Sequence, residues 1–385
     1  MDKERDQVNT HGSELPGGRP LTHDELVKRE DAPPLEDVPT DIAVQLTTRR
    51  VILSGLKESI QPERLEGDVP GHYWRLPQGA FLGLPGRTAT RLSVRPEKKP
   101  TAGEPTFAPY RPKWMAQVYH PKRTIVPPWT RGPVERPGIR GEVFWGVYPP
   151  DERAVYYPSG YPWQCMGKVY AWNDASSPWP AWSGSGVLIG DRLVLTAGHV
   201  VPWDAQTWMM QFIPAYYDGN SILGYGAASY VSDARGWDVS YISRLPDAHD
   251  MAILRLYDPI GSWIGYFGSK PYWKGDPEMR FWNIIGYPGA IASGERPSYQ
   301  PGIEVLDVKT SGDAIEIDHH GDISGGNSGG PFWATWPDGF PYATGTISGG
   351  RTVTAGGNVI EDTNVAAGGN ALNELIRWGR TNWPM

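Results

Sequence analysis

The sequence predicts an all-β protein in which short strands alternate with tight turns. The chain has 385 residues, among them 18 Trp, 19 Tyr, 47 Gly and 38 Pro. Aromatic residues favour strands, whereas glycine and proline favour turns and interrupt long helices. Because 39% of the residues are apolar, the chain can also bury one large or two ordinary cores. We therefore expect many short strands and few helices.

The composition narrows the classes of function. Cys165 is the only cysteine, so no intramolecular disulfide can form and cysteine-based zinc or iron–sulfur sites lack ligands. Its neighbours predict the start of a buried strand, which favours packing over a role as nucleophile. No run of eighteen apolar residues is present, and the charged N-terminus is followed by no apolar stretch. We therefore expect neither a membrane span nor a standard signal peptide.

Charge divides the chain into two parts. Residues 1–140 hold 22 Lys and Arg against 18 Asp and Glu, whereas residues 141–385 hold 14 against 25. The acidic second part offers no basic surface for nucleic acid, and the positive excess of the first part is too dispersed to form one. The opposite signs are compatible with an intramolecular contact between the two parts.

The first 140 residues are expected to be largely irregular. Residues 1–50 are polar and broken by Pro-Gly-Gly and Pro-Pro, which predicts mostly disordered chain. Residues 51–68 fit either a short amphipathic helix or a strand and turn, and the pattern does not choose between them. Residues 85–140 are rich in Pro, Arg and Lys, which is typical of an extended linker with exposed basic sites.

The stretch that carries the most chemical information surrounds Ser328. It lies in the run Gly-Asn-Ser-Gly-Gly-Pro at residues 326–331, where small residues let the backbone turn sharply and bring its N–H groups close to a ligand. If Ser328 attacks a carbonyl carbon, the oxyanion that forms needs preorganised donors about 3 Å away. The backbone amides of Gly326 and Ser328 are spaced to supply them.

A histidine with a suitable setting precedes this serine. Two β runs joined at Gly190-Asp191 predict a tight hairpin whose second strand ends at Thr196. Two small residues follow, so His199 is expected at the end of a strand with its ring projecting into a cleft.

An aspartate lies between the two in sequence. Asp250 stands directly before the strand-like run Ala-Ile-Leu, where an aspartate is a poor β former and a buried charge needs a partner. His199 would be that partner. Asp247 and Asp238 remain as alternatives, Asp247 being the stronger of the two.

These three motifs together resemble those of chymotrypsin-like (trypsin-like) serine proteases. The motifs are Thr-Ala-Gly-His at 196–199, His-Asp-Met-Ala-Ile-Leu at 249–254 and the serine run at 326–331, in the order His, Asp, Ser. An arm containing Asp and Arg before Tyr161-Pro162 is similar to the start of mature enzymes of the bacterial glutamyl-endopeptidase (V8-like) branch. The resemblance covers about residues 143–380.

The resemblance implies a chymotrypsin-like double six-stranded β-barrel that ends in a helix. It places barrel 1 at about 160–260, barrel 2 at about 275–368 and the helix at about 370–380. Residues 141–385 would then form the protease domain. Position and composition indicate a propeptide for residues 1–140, and the change in composition predicts a cut near Arg140. Secretion is implied in the same way, although retention in the cytoplasm stays open because no signal peptide is recognised.

The implied chemistry is hydrolysis of a polypeptide through an acyl-enzyme. His199 would take the proton of Ser328 and return it to the leaving amine, while Asp250 would hold the imidazole in the required tautomer. No cofactor or metal is required. Two alternatives stay open: an esterase or other acyl hydrolase that uses the same three residues, and a protease-like binding module without turnover.

The sequence leaves two roles open for the residue that sets specificity. Asp322 lies six positions before Ser328, where the resemblance implies either a pocket-base carboxylate for basic side chains or a carboxylate that fixes a loop. Glutamyl enzymes carry a histidine where this chain has Ile347, which argues against a preference for acidic side chains. His319 and His320 are candidates to approach the pocket, but a packing role is favoured for both.

The stretch Ser348-Gly349-Gly350 is predicted to bind substrate. Its glycines would leave a pocket mouth open to large side chains, and its backbone could pair with an extended peptide as an added strand. In trypsin, activation uses a carboxylate directly before the serine, whereas this chain has the uncharged Asn327 there. If residues 1–140 are removed, we therefore expect that they block the cleft before the cut or assist the folding of the protease domain.

Overall fold

The computed structural model of the chain describes residues 18–47, 63–64, 74–75, 88–93, 106–125, 146–177, 179–238, 246–272, 280–355 and 358–383. Most of the regular structure before residue 160 lies in short elements. These are α1 (His23–Val27), α2 (Thr40–Thr47), β1 (Glu63–Arg64), β2 (Trp74–Arg75), β3 (Thr88–Ser93), β4 (Arg123–Ile125) and β5 (Ala154–Tyr156).

The first barrel is a ring of six antiparallel strands. Its strands are β6 (Met166–Trp172), β7 (Trp182–Gly190), β8 (Leu193–Thr196), β9 (Met209–Pro214), β12 (Ser229–Asp238) and β13 (Ala252–Leu256), and the small hairpin β10 (Tyr216–Tyr217) and β11 (Asn220–Ser221) stands beside them. The strands follow the order β13-β8-β7-β6-β9-β12, and β12 pairs with β13 to close the ring. The short helix α3 (Ile260–Ile264) follows the last strand of this barrel.

The second barrel is built from a ten-stranded sheet. Its strands are β14 (Gly268–Ser269), β15 (Trp282–Gly286), β16 (Ser298–Ile303), β17 (Val305–Ser311), β18 (Ala314–His319), β19 (Pro331–Thr335), β20 (Pro341–Ala355) and β21 (Asn358–Gly369), joined by β4 and β5. The order is β17-β18-β21-β20-β19-β15-β16-β5-β4, with β14 paired to β20. The chain ends in α4 (Asn370–Asn382).

The aromatic residues that predicted a β protein fill its core. Trp163 is 1% exposed, and its ring lies between Tyr156, Tyr299 and Trp333 at centroid distances of 5.3, 4.8 and 5.7 Å. The contacts are edge to face, an arrangement in which aromatic pairs gain beyond the area they bury. Because Tyr299 and Trp333 belong to β16 and β19 while Trp163 precedes β6, this cluster joins the two barrels.

The C-terminal helix packs on the first barrel, although it follows the last strand of the second. The face of the helix that carries Leu372, Leu375, Ile376 and Gly379 is buried. A side chain at Gly379 would come within 2.8 Å of Ile253 and Leu193, so glycine permits the close approach. The prediction of an all-β double barrel closed by a helix is thus confirmed. None of the helices in the described part is long and apolar enough to cross a membrane.

The expectation that residues 1–50 are mostly disordered is wrong for residues 18–47. Helix α1 begins with a capping box in which Thr22 accepts a hydrogen bond from the amide of Glu25, and Glu25 accepts one from the amide of Thr22. Leu26 is 2% exposed. Residues 1–17 and all but Glu63 and Arg64 of the stretch 51–68 lie outside the described residues.

The prediction of an extended linker over residues 85–140 is also wrong in part. Strand β3 pairs in parallel with β12 along six residue pairs. Further on, the amide of Tyr161 donates to Ala116 and the amide of Val118 donates to Tyr161, each at 2.8 Å, and Met115 is buried in the main core. These backbone groups pair with residues far away in the sequence, which explains why the local pattern predicts no regular structure.

We expect residues 18–125 to stay bound after the chain is cut between residues 126 and 145. Burial of one large apolar side chain contributes about 1.5–3 kcal/mol, and Leu26, Leu46 and Met115 are all buried. A protease recognition sequence inserted between residues 126 and 145 allows a single cut, followed by size-exclusion chromatography. Co-elution of both fragments until denaturant is added is the expected result, and separation in native buffer would contradict it.

Candidate active site

The pairing of β8 with β13 brings His199 and Asp250 together. In this antiparallel pair Thr196, the last residue of β8, lies opposite Ala252, the first residue of β13. His199 follows Thr196 on a single-turn 3-10 helix (Gly198–Val200), and Asp250 precedes Ala252 by two positions. A side chain at Gly198 would lie 3.0 Å from the Asp250 carboxylate, so a glycine there lets the two loops approach.

The loop that carries Ser328 belongs to the second barrel but is held against the first. The amide of Ser185, on β7, donates to the carbonyl of Ser328 at 2.7 Å. Gly329 has a φ of +82°, and a Cβ there would lie 2.1 Å from Thr196 Oγ1 and 2.3 Å from the Ser185 carbonyl. Only glycine fits both the backbone conformation and the space. The small residues after Ser328 therefore permit the two barrels to meet.

The three predicted side chains form one hydrogen-bonded row in the crevice between the barrels. His199 Nε2 lies 2.8 Å from Ser328 Oγ, and His199 Nδ1 lies 2.6 Å from Asp250 Oδ2. The backbone amide of His199 donates to Asp250 Oδ1 at 2.8 Å. Ser328 and Asp250 are 4% and 5% exposed, whereas the His199 side chain is 44% exposed. The imidazole thus faces the crevice and can exchange a proton with a bound molecule.

The charge of Asp250 is stabilised although the residue is buried. Burial by itself raises the pKa of Asp250, but the charge and hydrogen bonds of His199 and the hydroxyl of Ser348 outweigh it and hold the pKa below its usual value. An ionised Asp250 favours the tautomer in which Nδ1 of His199 carries the proton. Nε2 is then an acceptor for the Ser328 hydroxyl.

The side chain of Ser348, predicted to bind substrate, contacts the aspartate instead. Its hydroxyl donates to Asp250 Oδ2 at 2.6 Å, and the residue is 2% exposed. The Ser348 side chain therefore supports the orientation of Asp250.

The backbone beside Ser328 presents two amides without partners. Within the described residues, the N–H groups of Gly326 and Ser328 make no hydrogen bond, whereas the amide of Asn327 between them donates to the carbonyl of Ser324 at 3.0 Å. Gly326 has a φ of +104°, which is accessible to glycine. Two unpaired donors next to the Ser328 hydroxyl are what an oxyanion requires.

Asp322 fixes the segment that leads into the first barrel. Its Oδ1 accepts from the amide of Tyr148 at 2.7 Å, and its Oδ2 accepts from the amide of Glu152 at 2.9 Å and from Gln300 Nε2 at 3.1 Å. The residue is 1% exposed. Because both oxygens are occupied, these contacts favour the loop-fixing role over the pocket-base role.

The pH dependence of stability should report this buried carboxyl group. Burial raises the pKa of Asp322 to about 6, with the amide hydrogen bonds opposing the shift. A carboxyl group with a higher pKa in the folded protein binds its proton more tightly there, so its contribution to stability increases as pH falls from 7 to 4. Relative to Asp322→Asn, the wild-type free energy of unfolding should rise by on the order of 2 kcal/mol over this range. Denaturant titrations of both proteins at several pH values test this, and a difference that is constant with pH would contradict it.

The glycines predicted to bind substrate lie on an edge of β20. Gly349 and Gly350 pair with Val365 and Asn364 of β21 on one side. On the other side the pairing of β20 with β19 ends at Thr346, so no strand among the described residues covers that edge beyond it. The edge begins next to the serine loop, where the amide of Gly329 donates to the carbonyl of Ile347 at 2.8 Å.

The remaining candidates lie away from the reacting atoms. His319 is fully buried and stacks on Phe332 with centroids 5.2 Å apart, and burial lowers its pKa to about 3, which makes it a neutral packing residue. The ring of His320 packs against that of Tyr148 in a tilted arrangement, with centroids 4.2 Å apart. Cys165 is buried, and burial raises the pKa of its thiol, which disfavours the nucleophilic thiolate. The side chains of the rival residues Asp238 and Asp247 lie outside what the structure describes.

Sequence reasoning missed Ser185 and Asn364. Ser185 Oγ donates to the carbonyl of Gly326 at 2.6 Å, and Asn364 Nδ2 donates to the carbonyls of Gly146 and Gly321, each at 2.7 Å. A polar residue among glycines at the start of β7 was the available signal for Ser185; Asn364 had none. Across the described ranges, no group of three or more His, Cys, Asp or Glu side chains is arranged to hold a metal ion.

Comparison with known proteins agrees with the motifs. Residues 184–335 match the family model described as trypsin-like peptidase domain, which confirms the predicted resemblance to trypsin-like serine proteases and spans all three side chains of the row. No curated protein matches the chain.

Solved structures similar to the chain include three proteases, each 18% identical to it. A Glu endopeptidase in complex with MPD aligns with a TM-score of 0.46 over 61% of this chain and 100% of its own. The protease Anisep from Arthrobacter nicotinovorans aligns at 0.41 over 56% and 93%, respectively. The serine endoprotease from Yersinia pestis aligns at 0.36 over 56% and 64%.

Proposed function

We propose that this chain, whose residues 184–335 match a trypsin-like peptidase domain, is a serine endopeptidase that works through an acyl-enzyme on Ser328. The observation that carries the proposal is the row from Ser328 Oγ through His199 to Asp250, with contacts of 2.8 and 2.6 Å, next to two unpaired amides. Nucleophile, base, orienting carboxylate and oxyanion donors then lie together in one crevice.

The steps follow from these positions. Nε2 of His199 takes the Ser328 proton while Oγ bonds to the carbonyl carbon, and the amides of Gly326 and Ser328 donate to the resulting oxyanion. Collapse of this intermediate breaks the C–N bond, and the imidazolium gives its proton to the leaving amine. Water then attacks the acyl-enzyme by the same route, with His199 as base, and releases the acid and Ser328.

The open edge of β20 supports a peptide as the substrate. Gly349 and Gly350 offer backbone donors and acceptors on the side of β20 that β19 does not cover, and an extended peptide can add to such an edge as a further strand. Pairing along several residues would place an internal peptide bond, rather than a small ester, at Ser328. This favours an endopeptidase over an esterase with the same three residues.

We further propose that the N-terminal region is retained as part of the folded enzyme. A cut near Arg140, which the change in composition predicts, would fall in residues 126–145, which are outside the described residues. The pairing of β3 with β12 and of β4 with β5 supports continued attachment of the earlier segments. That the enzyme acts outside the cytoplasm is proposed on the resemblance alone.

Covalent labelling combined with a peptide library tests the proposed function. The folded wild-type protein is incubated with a biotinylated organophosphonate, the labelled peptide is mapped by mass spectrometry, and an untreated sample is given a peptide library. Label on Ser328 together with cleavage inside peptides is the expected result. Label with ester but no peptide hydrolysis would replace the proposal by an acyl hydrolase, and neither label nor turnover would indicate a binding module. Heat-denatured protein is the control for labelling that does not depend on the site.

A further inference from the structure

The carbonyl groups around the candidate oxyanion hole are held by the rest of the molecule. The carbonyl of Gly325 accepts from the amide of Gly289 at 2.8 Å, and the carbonyl of Gly326 accepts from Ser185 Oγ at 2.6 Å. Because a trans peptide is planar, with its N–H opposite its C=O, the bond from Gly289 also sets the direction of the Gly326 N–H. Rotation of this peptide would carry that donor away from the hole.

The segment that supplies Gly289 is anchored in turn to the first barrel. Ser185 Oγ accepts from the amide of Tyr287 at 2.9 Å, so this hydroxyl joins the segment and the serine loop. Farther along, Lys168 Nζ donates to the carbonyl of Gly294 at 2.8 Å and pairs with Glu295 at 3.0 Å. Both ends of the stretch 287–295 are thereby fixed to strands β6 and β7.

The anchor at Glu295 is a buried network. The side chains of Lys168 and Glu295 are 4% and 12% exposed. Tyr216 donates to the second oxygen of Glu295 at 2.6 Å, and the Lys168 ammonium lies 4.8 Å from the centre of the Tyr216 ring. Burial lowers the pKa of Lys168, and Glu295 opposes that shift. A paired and hydrogen-bonded ion pair of this kind holds one geometry, since any other would leave a buried charge unpaired.

We infer that Ser185, with the Lys168–Glu295 pair behind it, positions the oxyanion hole: through the segment 287–295, the first barrel sets the direction of the Gly326 donor, which belongs to the second. This inference rests on the proposed function and names positioning residues for it. The barrels then contribute more than the two halves of the catalytic row, because the direction of the Gly326 donor depends on the segment 287–295, which hydrogen bonds hold to the first barrel.

Replacement of Ser185 by alanine tests the inference. Loss of one oxyanion donor costs about 100- to 1,000-fold in kcat, so a misdirected donor should lower kcat by about 10- to 100-fold. KM should stay within about twofold, since the ground-state carbonyl gains less from the hole than the oxyanion does. Binding of a peptide aldehyde, which forms a hemiacetal with Ser328, should weaken by the same factor as kcat.

Ser229 offers a matched control. It is also a buried serine of the first barrel, and its hydroxyl donates to Asp258 Oδ2 at 2.7 Å and accepts from the amide of Asp258 at 3.0 Å. Ser229→Ala therefore removes the same atom and the same kinds of hydrogen bond far from the serine loop. It is expected to leave kcat and aldehyde affinity unchanged in the folded fraction, whatever it does to the melting temperature.

Glu295→Gln gives a second measurement that does not depend on the folding of Ser185→Ala. It keeps the volume and one acceptor but removes the charge that pairs with Lys168, so a smaller fall in kcat with unchanged KM is expected. Wild-type turnover with kcat unchanged in both variants would overturn the inference and leave the proposed function standing. Absence of wild-type turnover and labelling would instead overturn the proposed function.

Discussion

Replacing Ser328 by alanine is expected to lower kcat by about a millionfold. The hydroxyl is the attacking group in the proposed mechanism, and its one described side-chain contact is the 2.8 Å hydrogen bond to His199. The change removes the nucleophile while the backbone amides of the hole remain in place. Hydrolysis of a fluorogenic peptide, chosen from the library, measures the loss, and organophosphonate labelling should disappear with it.

A double variant tests whether Ser328 and His199 act in the same catalytic step or contribute to kcat independently. Since Ser328 and His199 act in one step, Ser328→Ala with His199→Ala should be no slower than Ser328→Ala alone. The single variant should also bind the peptide with an affinity near that of the wild type, because its strand-pairing edge is intact. Residual turnover of Ser328→Ala within about tenfold of the wild type would require another nucleophile and would contradict the assignment.

The parts of the site that the sequence predicted are those fixed by short-range structure. His199 and Asp250 each stand at the end of a strand, and neighbouring strands bring these ends together, as the register of Thr196 with Ala252 shows. Ser328 lies in a glycine-rich run whose sharp turn is dictated locally. In each case the local run indicated the candidate, and the resemblance of the three motifs, in the order His, Asp, Ser, grouped the candidates into one site.

The parts that were missed depend on contacts between residues far apart in sequence. Ser185 contacts Gly326 across 141 positions, and Asn364 contacts Gly146 across 218. The direction of the Ser348 side chain follows from the packing of Asp250 between the barrels, which no local pattern reports. Strand β3 likewise has no apolar period of its own, and its extended conformation depends on pairing with β12.

One local signal in the N-terminal region was available and not used. Thr22 and Glu25 stand three positions apart before the buried Leu26, which is the sequence signature of a capping box. The polar composition of residues 1–50 outweighed it. Composition measures the average of a segment, whereas a cap depends on two residues, so a short helix within polar chain is easily lost.

Replacing Asp250 by asparagine is expected to lower kcat by about four orders of magnitude while KM changes little. The carboxylate accepts from His199 Nδ1 at 2.6 Å, from the His199 amide at 2.8 Å and from Ser348 at 2.6 Å. An amide group supplies one oxygen and no charge. It favours the tautomer with the proton on Nε2, which cannot take a proton from Ser328, and it leaves the imidazolium unstabilised.

Two further variants separate this role from its alternatives. Asp247→Asn alters the strongest rival in sequence and should keep kcat within a few-fold of the wild type; a loss there that matches the one expected for Asp250 would transfer the role to Asp247. Ser348→Ala removes only one of the acceptor bonds of Asp250 and should lower kcat far less than Asp250→Asn. Ser348→Ala keeps the negative charge of Asp250, whereas Asp250→Asn lacks it at every pH. Raising the pH should therefore not bring the kcat of Asp250→Asn up to that of Ser348→Ala. A recovery of that size would mean that the charge of Asp250 is dispensable.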